Sequence, residues 1–177
     1  MTALTILAHE IAHYLGAVAM GAQNVALHWA DITFDETTLD DRGLAVTWMA
    51  GPLLTHAIIL LVWLSGTSRP AALSLGLGAC SRDILLLPFT VKSLLGRDTS
   101  GFSSDEVQVS QALGIGSLPL AALAVILGVG GLIWFLLRAY HKEGVSLVIA
   151  LVTGTVAGFL LWTYVGPILL PGGRGYD

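Results

Sequence analysis

Charge is scarce in this chain. Eight Lys and Arg and twelve Asp and Glu make up 11% of 177 residues, against about 25% in an ordinary soluble domain. That shortage leaves no contiguous stretch from which to build a water-soluble core with a charged surface. Apolar residues take the place of charge, at 55% hydrophobic with a mean hydropathy of +0.80, so lipid is the expected solvent for most of the chain. A basic surface is missing too. A net charge of −4 and a pI near 5.6 exclude the electrostatic footprint of a nucleic-acid binder. Cys80 is the only cysteine, so no intrachain disulfide can form and the redox compartment is not legible. Internal repeats and low-complexity tracts are absent, and one membrane-embedded domain over residues 1–177 is expected.

Within the first apolar run stands HEIAH, residues 9–13. On a helix, positions i and i+4 project from one face about 6 Å apart along the axis. His9 and His13 therefore present two imidazoles to one point, and Glu10 can serve a water bound there. This is the spacing of zinc hydrolases, two His ligands with a Glu as general base. Five-residue patterns recur by chance, but two His and a Glu on a largely apolar helix are costly to keep unless something uses them. The same run lacks a basic leading region and is interrupted by those three residues, unlike a secretory signal.

The pattern predicts an all-α membrane protein with about five crossings. Thr2 to about Met20 form the first. Residues 24–48 follow as a β-hairpin: Val25, Leu27, Trp29, Ile32 and Phe34 alternate, Asp35 to Asp41 turn, and Gly43 to Trp48 return as a second strand. Asp31, Asp35, Glu36, Asp40 and Asp41 read as solvated. Met49 to about Leu64 make the second span, opening with AGP at 50–52, and Ala71 to about Leu95 the third, with Arg82 and Asp83 near its middle. In the polar loop 96–116, Ser103 and Glu106 have capping-box spacing, with Val109, Ala112 and Leu113 as a small apolar face. Leu118 to Leu137 and Val145 to Leu170 supply two more spans. Gly154 and Gly158, and the cluster Gly128, Gly130 and Gly131, fit close helix packing as well as the general excess of Gly in membrane helices. Orientation stays open, because Arg69, Arg138 and Lys142 oppose Arg42, Lys92, Arg97 and Arg174.

Catalytic zinc takes three protein ligands and an open position, so HEIAH needs one more. Asp83 is the first candidate, since a carboxylate in a membrane segment costs about 2.5–3.5 kcal/mol on insertion scales and a bound cation would offset that. An ion pair with Arg82 is the competing explanation, but neighbouring helical residues point about 100° apart. His56 is the other candidate, as a ligand, as a residue orienting a ligand, or as an oxyanion stabiliser. His28 and His141 fall in polar regions and are expected at the surface.

HEIAH, AGPLL at 50–54 and DILLLP at 83–88 together resemble the site-2 protease family of intramembrane zinc metalloproteases, over roughly residues 4–90; the C-terminal helices, 117–170, lie beyond the resemblance. It implies zinc on His9, His13 and Asp83, Glu10 as the base that activates water, and a membrane-anchored protein as substrate. Thr55 and His56 stand where members often carry Asn, Ile84 follows Asp83 where Gly is common, and no PDZ-like insertion is present. Two other functions fit the residues, a membrane protein that keeps a metal without cutting and a small transporter using Asp83 and the His residues on an ion path.

Overall fold

A computed structural model describes residues 2–97, 99 and 102–172. Arg174, one of the cations that bear on orientation, lies outside them. The protein is an integral membrane protein of helices with one short antiparallel hairpin. Among the described residues, five helical segments are long and apolar enough to cross a bilayer: Thr2–Met20, Asp41–Leu64, Pro70–Leu94, Leu118–Glu143 and Val145–Leu169. Their outward faces carry bare aliphatic side chains such as Leu61, Leu64, Leu137, Leu161 and Ile168, as expected where lipid replaces water.

Helix α1 (Thr2–Met20) leads into β1 (Gln23–Leu27) and β2 (Ile32–Asp35). The strands pair Ala26 with Thr33 and Leu27 with Ile32, with an irregularity between Gln23 and Ala26 where Asn24 takes φ +55°. The hairpin is tighter than the alternation suggested. Its turn is at residues 28–31, and the expected turn from Asp35 to Asp41 is divided between the end of β2, a 3-10 turn at Glu36–Thr38 and the start of the next helix. Gly43 to Trp48 do not return as a strand. Asp40 caps the Gly43 amide at 2.8 Å and starts helix α2 (Asp41–Leu64) eight residues before the expected Met49, because a side-chain acceptor at the N-cap satisfies an otherwise orphaned donor.

The third crossing is broken. Helix α3 (Pro70–Ile84) stops and α4 (Leu87–Leu94) begins after a short kink. Pro88 lacks an amide hydrogen and its ring would collide with the carbonyl of Ile84, four residues back. Arg82 and Asp83 therefore lie in the last turn of α3 rather than mid-helix. Helix α5 (Asp105–Ala112) precedes the long spans α6 (Leu118–Glu143) and α7 (Val145–Leu169).

Two packed clusters hold the helices in register around the HEIAH segment. One joins Ile59 and Val62 of α2, Leu73, Leu77 and Cys80 of α3, Phe135 and Ala139 of α6, and Leu147 and Leu151 of α7. The other joins Ala17 of α1, Ile32 and Phe34 of the hairpin, Trp48 of α2 and Val109 of α5. The second cluster draws the polar loop onto the bundle, so α5 lies against α2 and α6. Of the paired glycines, a Cβ on Gly154 would meet nothing within 4 Å, whereas one on Gly158 would touch Thr2 at 3.3 Å.

Candidate metal centre

His9, Glu10 and His13 are all buried on α1, and the i, i+4 spacing brings the two imidazoles edge to face with ring centres 4.6 Å apart. Their Nε2 atoms are 2.9 Å apart. Asp105, the first residue of α5, completes the group. Its Oδ2 is 2.9 Å from His9 Nε2 and 3.1 Å from His13 Nε2. Among the described residues this is the His/Cys/Asp/Glu cluster with the spacing to hold a metal ion.

Each imidazole is oriented from behind. His13 Nδ1 donates to the Thr47 carbonyl at 2.7 Å. A carbonyl only accepts, so in the neutral ring the Nε2 lone pair faces the cluster. His9 Nδ1 lies 2.8 Å from Thr55 Oγ1, a hydroxyl able to accept the same kind of bond. With both rings in the tautomer protonated at Nδ1, three acceptor atoms converge at 2.9–3.1 Å with no hydrogen of their own between them. That is unfavourable for bare lone pairs and favourable around a cation. Ligands of a tetrahedral zinc at about 2.0–2.1 Å stand roughly 3.3 Å apart, so a shift of a few tenths of an ångström accommodates the ion. The donor set, two oriented imidazoles and a carboxylate, fits a divalent metal.

The surrounding charge agrees. Glu10, Asp83 and Glu106 are buried, Asp105 is 15% exposed, and Arg82 is the guanidinium among them. Burial alone would raise the Asp105 carboxyl, but the Arg82 guanidinium outweighs it and holds the group well below the usual carboxylate range. Asp105 is thus an anion, as a ligand must be.

Asp83, expected as the third ligand, is placed elsewhere. It is fully buried, with Oδ2 3.1 Å from His56 Nε2, a close contact that is not aligned as a hydrogen bond. The reason is the 100° step between helical neighbours: Arg82 faces α5 while Asp83 faces His56 on α2 and Gly128 on α6. His56 therefore partners Asp83. His28 bonds the Pro171 carbonyl at 2.8 Å and Thr33 Oγ1 at 3.0 Å, tying the hairpin turn to the residues after α7. The expected capping box also differs. Ser104, not Ser103, caps α5, and Glu106 turns inward to Arg82 Nη1 at 2.8 Å.

Two cavities flank the centre. One, of about 420 Å³, is walled by Ile6, Ala79, Val156, Phe159 and Leu160 as well as His9, Glu10 and Arg82. The other, of about 310 Å³, has Asp31, Ser103, Ser104 and Asp105 in its wall. His9, Glu10, Ala30, Arg82 and Leu85 belong to both. Glu10 thus stands between an apolar chamber and a polar one. No family model, no curated protein and no solved structure matches the chain.

Proposed function

We propose that the protein is an intramembrane zinc endopeptidase of the site-2 protease type, acting as one embedded unit on a membrane-anchored protein. The observation that carries this reading is the convergence of His9 Nε2, His13 Nε2 and Asp105 Oδ2 beside Glu10, at the boundary of the two cavities. His9, His13 and Asp105 would hold the zinc, with Asp105 in the place first expected of Asp83. Bound there, zinc would supply Lewis acidity to a carbonyl and to a water.

The chain's own groups do the rest. Glu10 accepts a proton from the attacking water and returns it to the leaving amine. The polar cavity beside Asp105 and Ser104 gives water a route, and the apolar cavity between α1, α3 and α7 suits a lipid-embedded segment. A substrate helix must unwind before its amide is exposed. The hairpin turn at Trp29 and Ala30 stands in the cavity wall, where it can line the path of an unwound segment.

Glu10→Gln tests this directly. The variant should retain its metal and lose cleavage of a membrane-anchored substrate; cleavage that persists would rule the mechanism out. The contact of partly exposed His56 with buried Asp83 favours a second reading, an ion path through the spans, for which metal-dependent flux in liposomes is the deciding measurement.

A further inference from the structure

Arg82 stands at the junction of the metal centre and α5, and its contacts are more specific than charge balance requires. Its Nη1 bonds Glu106 Oε1 at 2.8 Å, and its Nη2 bonds Asp105 Oδ2. Asp83, its neighbour in sequence, is farther off at 3.8 Å. The planar guanidinium thus grips two consecutive residues in the first turn of α5, a fork that an ammonium cannot reproduce. Glu106 is 4% exposed and its Oε2 has no hydrogen-bond partner among the described residues, so Arg82 offsets the burial of this carboxylate.

We propose that Arg82 is the positioning residue that presents Asp105 to the metal, by anchoring Asp105 and Glu106 together and so fixing the start of α5 against the two imidazoles. This rests on the cluster being a metal site. His9 and His13 share one helix and are brought together by its local geometry. Asp105 arrives from a short segment far along the chain, and its placement needs an anchor. Without the guanidinium, Glu106 would be a buried anion lacking a counter-charge, and the first turn of α5 would move toward water, taking Asp105 with it.

The opposite sign is physically available, which makes the idea testable. A cation beside a metal site repels the metal, so a guanidinium that merely competed for Asp105 would weaken binding, and its removal would strengthen it. The experiment is competition of the full-length protein in detergent against a zinc chelator, with the absorption spectrum of the cobalt(II)-substituted protein as a report on the ligand set. Arg82→Gln should bind zinc about 10–100-fold more weakly, the usual size for a residue supporting a ligand. Its cobalt spectrum should shift toward that of Asp105→Asn, and Arg82→Lys should recover part of both. Wild-type affinity and spectrum in Arg82→Gln, or tighter binding, would overturn the proposal. Should Arg82→Gln not fold, Glu106→Ala reads the same anchor from its other end, with the same direction expected and wild-type behaviour counting against it. A wild-type protein that bound no metal at all would instead overturn the proposed function, and this inference with it.

Discussion

A Cβ placed on Gly51 would stand 2.3 Å from His13 Nε2 and 2.6 Å from His9 Cε1. The glycine of the AGP motif is therefore the floor on which both imidazoles rest, one helix away from the helix that carries them. Gly51→Ala should disturb the metal centre before it disturbs the bundle. Overpacking of this kind costs about 1–3 kcal/mol, and the side chains free to give way are the two rings. Zinc analysis of the purified variant should show substantial loss while the helical circular dichroism stays near wild type; full zinc content would refute the account.

The third ligand is decided by comparing two acids. Asp105→Ala should lose most of its zinc, because the remaining imidazole pair lacks the carboxylate held within 3.1 Å of both. Asp83→Ala should keep zinc at wild-type stoichiometry, since Asp83 is engaged by His56. The reverse pattern would restore Asp83 as the ligand.

What the sequence revealed and concealed depends on the range of each interaction. HEIAH was legible because an i, i+4 pair needs nothing but one helix, and the five spans were legible from length and hydropathy. Asp105 was not. In a polar loop, directly after Ser104, it looks like any acidic residue favoured at a helix N-terminus, and it is brought inward by contacts far along the chain, the packing of Val109 onto Ile32 and Trp48 and the Arg82 contacts to Asp105 and Glu106. One signal did point that way. Arg82, in a membrane segment, could not pair well with adjacent Asp83 and so required an acid from elsewhere. The extent of the hairpin was concealed for a local reason: the alternation through Phe34 runs on into a segment that Asp40 caps as helix.

Thr55 should tune the metal without touching it. Its hydroxyl meets His9 Nδ1 at 2.8 Å and holds that ring with Nε2 toward the cluster. Thr55→Val keeps a similar volume and removes the partner, so zinc affinity should fall about tenfold with little change in melting temperature. An unchanged affinity in a chelator competition would show that packing alone orients His9.

The His56–Asp83 pair should matter to stability rather than to the metal. Asp83 has no exposure and packs so tightly on α6 that a Cβ at Gly128 would lie 2.4 Å from its own Cβ. Removing one partner of a buried ion pair leaves an uncompensated charge and costs about 3–5 kcal/mol. His56 is partly exposed, with 23% of its side chain accessible, so the lower end of that range is expected for His56→Ala. The double variant with Asp83→Asn should be less damaged than the sum of the two singles, because the second change removes the charge the first left stranded. Thermal unfolding of the four proteins in one detergent measures this coupling. Strict additivity would mean that the 3.1 Å contact carries no energy, and that Asp83 is held by α6 alone.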